Sequence, residues 1–285
     1  ATSLTSVSLP DTGAVTNMYG MFDSATSLTS VSLPDTGAVT GMTAMFHDAT
    51  SLTSVSLPDT GAVTDMTAMF QDATSLTSVS LPQTGAVTDM TFMFYGATSL
   101  TSVSLPDTGA VTSMSCMFCS ATSLTSVSLP QTGALKTMSA MFAYATSLTS
   151  VYLPQTGNVW NMEMLFLNSP NFNQDIGAWD TSKVTTMWKM FDNATNFNKD
   201  IGDWDTSSVT RMERMFYEAT NFNQNIRKWD VDVSVNLDSM FSNATAMHDN
   251  YTGVLGFGGT PLYTFFNIDA TAPTLSSVSI ASNNS

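Results

Sequence analysis

Apolar residues along this chain alternate between two spacings. In the first unit Leu4, Val7 and Leu9 stand as L-x-x-V-x-L, which suits a short strand whose alternate side chains point inward. Pro10 has no amide proton to give a sheet ladder, so the strand should end there, and Asp11, Thr12 and Gly13 supply turn chemistry. Val15, Met18, Met21 and Phe22 then recur three or four apart, which predicts one short helical or 3-10-like segment with Thr16 as its cap.

That pattern returns as a whole. ATSLTSVSLPDTGAVT opens at Ala1, Ala25 and Ala49 and comes back with few changes at Ala73, Ala97, Ala121 and Ala145, a period of 24 residues. From Ser169 the period is 25 residues, with further units opening at Ala194 and Ala219. A fixed period of this size means one supersecondary unit stacked on copies of itself, so inward positions become rows: Leu4 with Leu28 and Leu52, Met18 with Met42 and Met66, Phe22 with Phe46 and Phe70. These rows account for most of the methionines and phenylalanines as core.

The expected fold is an α/β solenoid, a right-handed stack of short parallel strands and short helical or 3-10 segments. Seven 24-residue units fill 1–168 and three 25-residue units fill 169–243. The later units carry Phe172, Ile176 and Trp179 and their equivalents, implying a thicker coil, with Tyr152, Trp160, Leu165 and Leu167 as adapter residues. Residues 244–268 break the period and should cap the last coil, with Tyr251, Phe257, Tyr263, Phe265 and Phe266 as cover. Ala1 stands in register with no visible cap, so preceding residues or a second subunit are expected to complete the stack there.

The net charge is -15, and no lysine or arginine precedes Lys136. Such a surface repels phosphate backbones and anionic headgroups, which argues against nucleic acid or membrane-surface partners. No apolar run is long enough to insert into a membrane. Cys116 and Cys119 form a lone C-x-x-C without the context of a redox or zinc motif, and are expected as free thiols or a local disulfide.

The unit TSLTSVSLPDTGAVTNMYGMF resembles the BspA-like leucine-rich repeat, with Met-Phe where that repeat has Ala-Phe. FNQDIGAWDTSKVTTMWKMF at Phe172 to Phe191 is similar to the bacterial surface-protein repeat F-N-Q-D-I-x-x-W-D-T-S-x-V-T-x-M-x-x-M-F. The resemblance covers about residues 1 to 243 and implies display at the cell surface or outside the cell and a role in adhesion, with no catalytic motif. Residues 269–285 resemble the linker and first strand of a bacterial Ig-like domain.

The candidate chemistry is sparse. SLPDTG and SLPQTG match the L-P-x-T-G sorting signal, yet they recur in every early unit and read as repeat turns. Aligned on that turn, Asp11, Asp35, Asp59, Asp107, Asp180, Asp205 and Asp230 lie in one row that Gln83, Gln131 and Gln155 interrupt. Carboxylates stacked about 5 Å apart repel by roughly 0.8 kcal/mol in water, which makes them secondary candidates for Ca²⁺, with turn capping as the preferred reading. His47 and His248 have no nucleophile pattern near them, so no enzyme is expected. Specific contacts are expected where the units vary, at Tyr19, His47, Tyr95 and Tyr144, and at the junction residues Tyr152 and Trp160. The expected partner is a surface protein or glycan, with self-association into an oligomer or filament as the alternative.

Overall fold

The computed structural model describes residues 2–9, 13–33, 36–57 and 59–267. It is a solenoid. Strands β1 (Ser6–Ser8), β2 (Ser30–Ser32), β3 (Ser54–Ser56) and β4 (Ser78–Ser80) pair in parallel in that order, and β5 (Ser126–Ser128) pairs with β6 (Ser150–Tyr152). Ser104 bridges Ser80 to Ser128 and so joins the two groups. Register follows the repeat, Val7 opposite Val31 and Val127 opposite Val151. A second parallel column of single-residue bridges runs from Asn17 through Gly41, Asp65 and Asp89 to Asn236 on the other side of the core.

The inward rows are buried as expected. Leu52, Val63, Met66, Met69 and Phe70 are closed to solvent, while the strand serines on either side of Val55 are exposed. The first coil has neighbours on one side only, so Leu4, Val7, Leu9 and Val15 are partly buried and Met21 is 41% exposed. Phenylalanine forms a continuous stack from Phe22 to Phe241, with centroids 5.4 Å apart at Phe46–Phe70 and 5.8 Å at Phe118–Phe142. In the later coils a second column, Phe172, Phe197 and Phe222, lies against the first, with Phe191–Phe197 at 4.0 Å. Trp204 and Trp229 add a third.

The M-x-x-M-F segment differs from a helix. Amide protons of Met42, Ala44, Phe46 and Asp48 cross to the carbonyls of Asp65, Thr67, Met69 and Gln71 in the next coil, at 3.1, 2.9, 2.9 and 2.9 Å. Those of Met45, His47 and Ala49 close back three residues, each at 3.2 Å, the 3-10 pattern. Ala44 and Asp48 take left-handed φ values of 52° and 53°, and the same two positions recur as Ala68 and Asp72, Cys116 and Ser120, Ala140 and Tyr144. A left-handed residue every fourth position breaks the helix into separate turns. The physical reason is hydrogen-bond demand: a helix would spend its amides internally and leave the next coil without partners. Among the described residues the helices are α1 (Thr245–Tyr251) and a 3-10 turn at Tyr263–Phe265.

Threonines tie the coils from outside. The hydroxyls of Thr40, Thr64, Thr88 and Thr112 each donate to a carbonyl one coil back, at 3.2 Å. At the other end Phe257 and Phe265 pack on Phe241, and Phe266 stacks on Trp229 at 6.4 Å. The Ig-like expectation for 269–285 lies outside the described residues.

Left-handed φ costs a residue with a Cβ about 1 kcal/mol, which glycine escapes. Ala68→Gly should therefore leave stability unchanged or raise it by up to about 1 kcal/mol, whereas the same change inside a helix costs about 1 kcal/mol. Urea midpoints of the two chains decide between the turn and the helix.

Candidate ligand-binding groove

The 25-residue coils place an asparagine on each side of an inward phenylalanine: Asn171-Phe172-Asn173, Asn196-Phe197-Asn198 and Asn221-Phe222-Asn223. Extended backbone alternates its side chains, so burying each phenylalanine turns both neighbours outward. Stacking then aligns six amides in two columns. They line an open groove of about 670 Å³ that Ala246 of α1 borders at one end.

The amides also hold the stack together. Asn173 Oδ1 accepts the Asn198 amide proton at 3.0 Å, and Asn198 Oδ1 accepts that of Asn223 at 2.9 Å. Asn221 Nδ2 donates to Asn196 Oδ1 at 3.2 Å, and Asn171 Nδ2 to the Thr146 carbonyl at 2.8 Å. Gln224 Nε2 donates to Asn198 Oδ1 at 2.7 Å. The Asn223 side chain makes no hydrogen bond among the described residues, which leaves both its donors and its acceptor for a ligand.

Where sheet gives way to groove, one side chain seals the edge. Gln174 Oε1 accepts the Val151 amide proton at 2.6 Å, and its Nε2 donates to the Val151 carbonyl at 2.8 Å. One amide thus stands in for the next strand. Gln174 and Tyr152 share a smaller depression of about 400 Å³ on the sheet face, with Ser126, Ser128 and Ser150. Tyr152, 57% exposed, stands beside the seam.

The residues expected at contacts fall into separate places. Tyr152 lies on the sheet face beside Gln174. Tyr95 and Tyr144 lie on the turn-side wall, where Tyr95, Cys116 and Met164 border an apolar patch of Cys119, Ala140, Ala143 and Leu167. His47 is on the same wall two coils before Tyr95, its Nδ1 2.8 Å from Asp23 Oδ1, a contact that holds the Asp23 carboxyl below its ordinary range. Tyr19 is exposed on the first coil. Trp160 is exposed elsewhere, its carbonyl accepting the Thr185 amide proton at 2.9 Å. Both cysteines are free thiols, and the neighbouring Cys119 thiol, with burial, pushes the Cys116 pKa up.

Asp11 and Asp35 of the acidic turn row lie outside the described residues. Asp59 Oδ1 accepts the Gly61 amide proton at 2.8 Å. Asp180 and Asp205 accept both the amide and the hydroxyl of Ser182 and Ser207, which lowers both carboxyl pKa values. The Asp230 carbonyl accepts from the Thr206 hydroxyl at 2.8 Å. The carboxylates of Asp59, Asp180 and Asp205 thus cap their own turns, whereas Asp230 takes part through its backbone carbonyl, which links it to the previous coil.

The asparagine groove is absent from the sequence expectation. Its signal was present, since N-F-N recurs at a period of 25 residues with the aromatic at an inward position.

The family described as "Mycoplasma protein of unknown function, DUF285" matches residues 1–102, 77–152 and 136–254. The chain belongs to this family. Its repeats are the BspA-like, leucine-rich type that the sequence resembles. No curated protein matches. Among solved structures it is similar to a leucine-rich repeat protein from Bacteroides ovatus, 16% identical with a TM-score of 0.48 over 85% of this chain and 73% of the other. A leucine-rich repeat protein from T. pallidum is 20% identical, with a TM-score of 0.36 over 70% and 74%. A leucine-rich cell surface protein from Faecalibacterium prausnitzii is 16% identical, with a TM-score of 0.34 over 86% and 78%. No helix among the described residues is long and apolar enough to cross a membrane.

Because Gln174 satisfies both polar groups of Val151, Gln174→Ala should cost about 1–3 kcal/mol. Gln174→Glu should recover little of it, since a carboxylate offers the Val151 carbonyl no proton. Denaturant midpoints of the three chains test this ordering.

Proposed function

We propose that this chain is a non-enzymatic binding region of a bacterial surface protein, and that its asparagine groove holds an extended neutral glycan. The two asparagine columns carry this reading. Amides offer donors and acceptors together, as hydroxyls require, and the groove lining contains no charged side chain to select a phosphate or a carboxylate. Successive coils repeat at about 4.8 Å, whereas a peptide strand along the stack repeats its face at about 6.6–6.8 Å and falls out of step within two coils. A β-linked sugar chain advancing one ring per coil keeps register better. Tyr152 supplies an exposed ring on which the apolar face of a sugar can lie. Membership of a bacterial surface-repeat family supports display outside the cell and attachment as the purpose.

The 285-residue chain should retain one or more neutral β-linked polysaccharides on a glycan array. Asn223→Ala and Tyr152→Ala should each weaken binding at least tenfold, while Ser8→Ala, at the far end of the sheet, leaves it unchanged. Equal binding by all four chains, or none to any neutral polysaccharide, would overturn the reading.

A second reading, self-association into a stalk or filament, is supported by the apolar patch on the turn-side wall, where Phe92 packs edge-on to Tyr95 and Tyr144 is 46% exposed. Sedimentation velocity should then show concentration-dependent assembly that Phe92→Ser with Tyr144→Ser abolishes. Assembly that is absent, or that survives the double change, rejects this reading.

A further inference from the structure

The turn-side wall of the first three coils gathers a set of side chains that the groove does not use. His47, the one histidine of the 24-residue repeats, lies with Nδ1 2.8 Å from Asp23 Oδ1 and 3.7 Å from Asp48 Oδ2. One ligand atom each from His47, Asp48 and Asp72 lie within 4.8 Å of one another. Asp23, His47 and Asp48, and Asp72 come from successive coils, at positions where otherwise near-identical repeats differ.

We propose that His47, Asp48 and Asp72, with Asp23 beside the imidazole to orient it, form a binding site for a divalent transition metal of the Zn²⁺ type that clips the second and third coils together. Three observations favour a metal over a solvated acidic face. No lysine or arginine precedes Lys136, so His47 is the one basic side chain of these coils beside the converging carboxylates of Asp48 and Asp72. An imidazole stands among them, and a nitrogen with carboxylate oxygens is a zinc-type ligand set, whereas Ca²⁺ takes six to eight oxygens. Bonds of about 2.0–2.2 Å put the ligand atoms of a four-coordinate ion roughly 3.4 Å apart, within the 4.8 Å that the His47, Asp48 and Asp72 atoms already span, and solvent fills the fourth position.

The neighbouring coil leaves room for this arrangement. A Cβ at Gly96 would meet Asp72 Oδ1 at 2.1 Å, so the aspartate keeps its position because the residue above it is glycine. His47 is 29% exposed and Asp48 44%, so the ion has a path from solvent. Binding to the folded coils and not to the unfolded chain raises stability by mass action.

The test uses the full chain with Cys116→Ser and Cys119→Ser, which removes the thiols as a competing site. Calorimetric titration with ZnCl₂ should give one ion per chain at micromolar affinity. His47→Ala and Asp72→Asn should each weaken it at least tenfold, and CaCl₂ should bind at least tenfold more weakly than ZnCl₂. Zinc should raise the melting temperature of the parent and not of His47→Ala. CoCl₂ should develop visible d–d bands in the parent that His47→Ala loses. Failure to bind one zinc ion per chain, or an affinity unchanged by His47→Ala, overturns the site; loss of glycan binding elsewhere leaves it standing.

Discussion

Each coil of this protein is incomplete without the next, because about half of the backbone amides of its turn segment are satisfied only by carbonyls of the following coil. This demand governs the rest of the structure. It holds the turn segments in register even where the period lengthens from 24 to 25 residues, as when Phe166 donates to Met190, and it makes hydroxyl and amide side chains useful wherever backbone cannot reach. The threonine ladder and the glutamine that closes the sheet edge answer the same demand with different atoms. Hydrophobic burial supplies the gross driving force, yet burial alone would not fix register. Stacked phenylalanines tolerate sliding; hydrogen bonds between coils do not.

Much of this was legible in the sequence. The repeat gave the solenoid, proline and glycine marked the turn, and the spacing of Leu28, Met42 and Phe46 identified the core rows. The M-x-x-M-F segment was legible as helical or 3-10-like, but the left-handed breaks that settle it as separate 3-10 turns were not, for a definite reason. Residues three and four apart face one side both in a helix and in a run of 3-10-like turns, so periodicity reports burial without saying where the amides go. Ala44 and Asp48 carry no glycine-like mark of left-handed backbone, because their strain is met by bonds to the next coil that no single repeat contains. Gly20 and Gly96, and Asn168, Asn193 and Asn243 in the later coils, are the residues at these positions that hint at it.

The binding face was less legible still. Attention to variable positions and exposed aromatics found Tyr152 at the seam and His47 on the wall, yet passed over asparagines that hardly vary. Uniformity within an array has two causes, and sequence alone does not separate them. A side chain may repeat because it holds the coils together or because its ligand repeats. In the groove one residue type does both: Asn198 accepts the amide proton of Asn223, whose own side chain stays free.

That division of labour bears on how a solenoid acquires a site at all. In the seven early coils the strand backbone satisfies itself and its serines face solvent as a plain surface. Where the coil thickens to take Phe172 and Trp179, regular strand pairing stops at Tyr152, and side-chain amides take over the connection. The change that accommodates larger aromatics inside therefore creates a lined groove outside. Core and surface are coupled here through one residue of alternation, because every asparagine of the groove is the sequence neighbour of a buried phenylalanine. Altering the core of the later coils would move the groove with it, whereas the early coils can vary their turn-side wall, as at His47 and Asp72, without disturbing the rows inside.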